Sequence, residues 1–88
     1  MNTRKRIAWN LRRLRTSANV TQEILAVDAH VDRTVISDLE RGRHNASVDL
    51  LDRLAQALGL DISELFVVPA ETDVEPTPIK AGRKPKAR

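Results

Sequence analysis

A chain of 88 residues has room for one small domain, and its 41% of hydrophobic residues suits a folded helical bundle better than a disordered chain. With no cysteine, and with Trp9 and Phe66 as its two aromatics, it excludes a disulfide framework, a thiolate metal site and a cysteine nucleophile, and leaves the core to Leu, Ile, Val and Ala. The net charge of +3 is unevenly spread: residues 1–15 hold six cations and residues 79–88 five, both without an acid, whereas residues 16–78 set four arginines against all twelve acids, a balance of −8.

Between Asn2 and Ala18, the residues Ile7, Ala8, Leu11, Leu14 and Ala18 recur at spacings of three and four, which predicts an amphipathic first helix. Its start, Arg4-Lys5-Arg6, is basic like that of a signal peptide. Asn10, Arg12, Arg13 and Arg15 then stand where an apolar stretch would be needed, so export is not expected. Trp9 lies off the stripe and is expected to pack against a partner or the C-terminal tail. Asn19 tolerates the left-handed conformation at a helix end.

Thr21 is a good N-cap for a short second helix with Ile24, Leu25 and Ala29 as its buried face. Ala29-His30-Val31 makes a tight connection, after which Asp32 caps a third helix running to about Arg41. There Val35, Ile36 and Leu39 point inward and Gly42 is the stop. Ser47 caps a fourth helix with Leu50, Leu51, Leu54, Ala55 and Leu58 on one face, closed by Gly59. Asp61 caps a last short helix holding Ile62, Leu65 and Phe66.

From Pro69 onward the composition changes. Pro69, Pro76, Pro78 and Pro85 interrupt any helix, apolar residues thin out, and charge segregates into an acidic then a basic stretch, which predicts a disordered tail over residues 69–88. The longest apolar run, Leu65-Phe66-Val67-Val68, is far below the ~18 residues a membrane span requires. The expected fold is therefore all-α: a compact five-helix domain over residues 1–68 followed by the tail.

Two short helices joined by a three- to four-residue turn and packed on a longer helix form a helix-turn-helix, here at about residues 21–43. Thr21-Gln22-Glu23-Ile24-Leu25-Ala26 followed by Val31-Asp32-Arg33-Thr34-Val35-Ile36-Ser37-Asp38-Leu39-Glu40-Arg41-Gly42 resembles the Cro/lambda-repressor (XRE-like) family. Ala57-Leu58-Gly59-Leu60 and Glu64-Leu65-Phe66 match the last two helices of that pattern, and the resemblance covers roughly residues 7–67. Ala26 stands where the two helices cross closely, and Val31 and Ile36 fill the space between them. The resemblance implies that Arg15 and Glu40 form a structural ion pair, buried or half-buried, tying the first helix to the end of the third. One departure is His30, at a turn position usually filled by glycine for its positive φ; histidine is among the few other residues enriched there. His44 is fourteen residues away without metal-ligand spacing, so neither a metal nor a cofactor is expected.

The partner that the resemblance implies is double-stranded DNA, with the third helix in the major groove. Base edges would be met by Arg33, Thr34 and Asp38, with Ser37 beside them and Gln22 reaching in from the second helix. Arg33 suits the O6 and N7 of guanine, and Thr34 a thymine methyl. Asp38 either accepts from cytosine N4 or pairs with Arg33 or Arg41 on the helix surface. Phosphate contacts are expected from Thr21 and Gln22, at a helix N-terminus with free N–H groups, and from the loop of Arg41, Arg43, His44 and Asn45. The basic ends are read as loose electrostatic arms, and Gly82-Arg83-Lys84-Pro85-Lys86 bears a faint likeness to a minor-groove hook.

One such domain covers half a site, so a homodimer on a two-fold symmetric site is expected, with Leu60, Ile62, Leu65, Phe66, Val67 and Val68 as its interface. The reading is a small cytoplasmic, nucleoid-associated transcriptional regulator, a repressor that occupies a promoter. Its settings include the controller of a restriction–modification operon. The alternative is an antitoxin or protein-interaction module of the same fold with weak or no DNA binding, favoured by the acidic middle and Asp38. An enzyme is not expected. Asp49 and Asp52 lie one turn apart on a solvated face, with no phosphate loop, metal cluster or nucleophile–base pair nearby.

Overall fold

Helix starts and stops in this chain are set by short-range chemistry, and the computed structural model, which describes residues 2–70, shows each of them. Helix α1 spans Thr3–Ser17, α2 Gln22–Ala29, α3 Arg33–Glu40 and α4 Val48–Ala57, and a 3-10 turn spans Ile62–Phe66. The five expected elements are present, the last wound more tightly than an α-helix. Residues 71–88, and with them most of the expected tail and its basic arm, lie outside the described residues.

Asn2 Oδ1 accepts from the Lys5 N–H at 2.9 Å, Thr21 Oγ1 from Ile24 at 3.1 Å, and Ser47 Oγ from Leu50 at 3.0 Å. Each bond satisfies a donor that the first helical turn leaves without a partner. Asp61 Oδ2 does the same for Ser63 at 2.9 Å, and hydrogen bonds from the Ser63 hydroxyl and N–H hold its carboxyl below the usual range. Asp32 occupies the N-cap position of α3 in extended backbone, but its side chain makes no capping hydrogen bond. There the expected cap is one of position only.

All four helices end by one device. The amide of Val20 reaches back to Arg15 O at 3.1 Å, Val31 to Ala26 O at 3.0 Å, Arg43 to Asp38 O at 2.9 Å and Leu60 to Ala55 O at 2.9 Å. Each such six-to-one bond needs a left-handed residue just before it. Gly42 and Gly59 provide it at φ 72°, while Asn19 at φ 60° and His30 at φ 61° provide it without being glycine. The departure at His30 thus leaves the turn's geometry intact.

Leu11, Leu25, Ile36, Leu54 and Leu65 are almost wholly excluded from water and form the centre of the core. Ile7, Ala26, Ala29, Leu39, Leu50, Leu51 and Ala55 pack around them. Each large side chain so buried contributes about 1.5–3 kcal/mol. Helix α1 lies against α3 and the 3-10 turn, α2 against α3 and α4, and α4 against the turn. Two expected core assignments differ, and one buried residue was not expected. Ile24 is 45% exposed, because α2 turns Leu25, Ala26 and Ala29 inward instead. Ala18 is exposed because the chain has already left the helix there. Asn10, a polar residue, is fully buried. No helix among the described residues is long and apolar enough to cross a membrane.

Candidate nucleic-acid interface

The three residues His30–Asp32 separate α2 from α3, so the N-terminal turn of α3 stands out at the end of a tight corner. Arg33 and Thr34 are exposed there, and Ser37 and Asp38, one turn on, are half-buried. Arg33 Nε lies 3.9 Å from Glu23 Oε2, with the two side chains 54% and 64% exposed. A pair so open to water is worth about 0–1 kcal/mol, which leaves the guanidinium available to a better acceptor. Asp38 has neither Arg33 nor Arg41 as an ion-pair partner among the described residues, because Arg33 leans toward α2 and Arg41 begins the following loop. The surface pairing considered for Asp38 is therefore absent.

Behind this face sits a charged cluster. Arg15 Nε donates to Glu40 Oε2 at 2.6 Å and Nη2 to Oε1 at 2.9 Å, and both side chains are about 95% buried. The third arm of the guanidinium, Nη1, donates to Val20 O at 2.8 Å in the turn that leads into α2. Gln22 Nε2 completes the cluster by donating to Glu40 Oε1 at 3.1 Å. One buried guanidinium thereby holds α1, the start of α2 and the end of α3 in fixed relation. Gln22, expected to reach toward bases, has its amide engaged on Glu40.

The loop after α3 places Arg41, Arg43 and Asn45 in solvent and leaves His44 half-buried. The Arg43 N–H bonds to Asp38 O, which fixes the loop's first turn to the end of α3. Thr21 sits half-buried at the start of α2 with its hydroxyl engaged as the cap.

At the end of the 3-10 turn and just after it, Phe66, Val67 and Val68 are 39%, 44% and 66% exposed. Leu60 and Ile62 are half-buried, and Ile62 packs on the core. Leu65, expected at a dimer interface with them, is 1% exposed and belongs to the core, because the 3-10 turn presses it between α1 and α4. The exposed segment is held by Asn10, whose Nδ2 donates to Leu65 O at 2.9 Å and to Val67 O at 2.7 Å. Arg13 Nη2 steadies the amide from its other side, at 3.3 Å from Oδ1. Sequence reasoning did not single out Asn10, although a signal was available: it falls three residues after Ile7 and four before Leu14, on the apolar stripe. Beside Phe66 runs a groove of about 340 Å³ with Ile7, Leu39, Ala46, Val48 and Leu51 in its walls.

Residues 6–65 match the helix-turn-helix domain family. Control protein C.BamHI of Bacillus amyloliquefaciens is 38% identical over 66 residues, which are 74% of this chain and 82% of its own. Among solved structures, the hypothetical transcription factor NHTF from Neisseria superposes with a TM-score of 0.75 at 34% identity, covering 77% of this chain and 78% of that one. The restriction-modification controller protein C.AhdI from Aeromonas hydrophila superposes with a TM-score of 0.70 at 36% identity, covering 72% of this chain and 96% of its own.

Proposed function

This chain belongs to the helix-turn-helix domain family, and from that premise we propose that it is a dimeric transcriptional regulator that binds double-stranded DNA sequence-specifically, with α3 in the major groove. The observation that carries the reading is the contrast between the two faces of α3. Its inner face, through Ile36, Leu39 and Glu40, is locked into the core and the Arg15 cluster, while Arg33 and Thr34 stand exposed at its first turn. Arg33 is assigned to a guanine, Thr34 to a thymine methyl, and Asp38, without an ion-pair partner among the described residues, to a cytosine N4; Ser37 lies beside them. Thr21, Arg41, Arg43, His44 and Asn45 are assigned to phosphates. Gln22 acts on the DNA through its hold on Glu40 and the backbone N–H groups at the start of α2.

The regulator acts by occupying promoter DNA in the cytoplasm, through binding and without catalysis. Selection of bound sites from a random DNA pool tests this directly. A two-fold symmetric site is expected, with half-sites about 34 Å apart. Arg33→Ala should relax one base position per half-site and weaken binding by about 1–3 kcal/mol. A pool that never enriches overturns the reading in favour of a protein-interaction module.

The dimer is assigned to Phe66, Val67 and Val68, with Leu60 and Ile62 at its margin. Three neighbouring apolar side chains left this open mark a surface that gains by being covered. Sedimentation equilibrium should give a dimer at micromolar concentration, and Phe66→Lys a monomer that is still folded. A wild-type monomer at high micromolar concentration would count against the interface. Control proteins among the relatives favour a restriction–modification operon over an antitoxin setting. An endonuclease or methyltransferase gene beside this one would support it.

A further inference from the structure

The basic N-terminal stretch is not a loose arm over its described length but the first half of α1, and its cations have separate surroundings. Arg15 is consumed by Glu40, and Arg13 bonds to Asn10. Lys5, Trp9 and Arg12 follow at steps of four and three, so they share one face of the helix. That face meets the chain just after α3. A Cβ built on Gly42 would stand 3.6 Å from Lys5 Cγ, so the lysine stem lies against the glycine that follows Arg41. Between them is an open cleft of about 210 Å³ with Lys5, Trp9, Arg12, Glu40 and Arg41 in its walls.

We propose that Lys5 and Arg41, joined across this cleft, form a phosphate-binding point that grips the DNA backbone beyond the bases met by α3. The proposal rests on the DNA-binding reading above and extends it to a second element, α1. Two observations carry it. The cleft's one acid, Glu40, is already matched by Arg15 at 2.6 Å, so the charge it presents is cationic. Lys5 and Arg41 are both exposed and have no ion-pair partner among the described residues.

Scale agrees with this placement. Arg41 lies eight residue steps beyond Arg33, about 12 Å along the helix axis, which is close to the ~12 Å width of the major groove. A helix whose first turn faces base edges then brings its C-terminal end, and Lys5 with it, to the phosphate wall.

The test is a salt titration of duplex binding by the full chain between about 50 and 200 mM salt, for the wild type, Lys5→Gln, and Arg53→Gln as a charge-matched control outside the cleft. Lys5→Gln should lower the slope of log K against log salt by about 1.8, which is about 0.9 for each protomer of the bound dimer, and weaken binding about 60-fold near 0.1 M salt. Its melting temperature should be unchanged, since Lys5 is exposed. Arg53→Gln should match the wild type. Trp9 is the sole tryptophan, so its emission should change on adding duplex and not on adding inorganic phosphate. A wild type that binds no duplex overturns the DNA reading and this site with it. A wild type that binds, with Lys5→Gln unchanged or with Arg53→Gln equally affected, overturns the site alone. An emission change with inorganic phosphate but not with duplex also overturns it.

Discussion

Replacing Arg15 with methionine is expected to destabilise the domain by about 3–5 kcal/mol, because it leaves the Glu40 carboxylate buried without its countercharge. The Val20 carbonyl loses its donor as well, and the turn into α2 loses its anchor. Domains of this size hold only about 5–15 kcal/mol in total, at the lower end for the smallest, so the variant should be partly unfolded at ordinary temperature. Each kilocalorie should lower the melting temperature by about 4–8 °C. Urea denaturation followed by circular dichroism reads the loss directly. The double variant Arg15→Met with Glu40→Leu should recover most of it, since an apolar pair of similar volume replaces a buried ion pair at little or no cost. A single variant within about 1 kcal/mol of the wild type would show that the cluster is solvated and that its hold on α2 and α3 is slight, as for an exposed pair.

The second large effect is expected at Asn10. Asn10→Leu keeps the branching of the side chain, with somewhat greater bulk, but strips donors from the carbonyls of Leu65 and Val67, which its amide holds at 2.9 and 2.7 Å. A buried acceptor left unpaired costs about 1–3 kcal/mol, and the Val67 carbonyl, in an exposed residue, can turn to water. The expected loss is therefore about 1–3 kcal/mol, nearly all of it from Leu65. The consequence for assembly should be larger than that for folding. Phe66, Val67 and Val68 would no longer be held in one orientation on α1, so sedimentation should show a weakened dimer even where the monomer remains folded. A variant of reduced stability that dimerises as tightly as the wild type would separate Asn10 from the interface.

Both predictions concern residues whose importance comes from distant partners, and they differ in how visible those partners are in the chain. Glu40 is recognisable as the partner of Arg15, 25 positions away, by likeness to a family pattern. Asn10 has no such flag, and its partners are backbone carbonyls more than fifty residues on, which carry no side-chain signature at all. Gln22 shows the same limit from another side. Its position at the start of α2 suggests a reach toward DNA, yet the Glu40 carboxylate stands 3.1 Å from its amide, and only the folded arrangement places it there.

What the sequence by itself determined is the set of features settled within a few residues. The caps at Thr21, Ser47 and Asp61, the left-handed ends at Asn19, His30, Gly42 and Gly59, and the apolar stripes of α1 and α4 are all of this kind. Their hydrogen bonds and backbone angles involve near neighbours, so residue type and spacing suffice. What only the tertiary structure decided is which side of an ambiguous element faces inward, and what a buried polar group finds there. In α2, Ile24, Leu25, Ala26, Val27 and Ala29 spread apolar surface around most of the helix, and contact with α3 and α4 selects Leu25, Ala26 and Ala29. In the segment from Leu65 to Val68, four consecutive apolar residues give no period, and the approach of α1 and α4 buries Leu65 while leaving the rest open. Lys5 and Arg41 line one cleft for the same reason: packing α1 on α3 places side by side residues that neither helix alone would bring together.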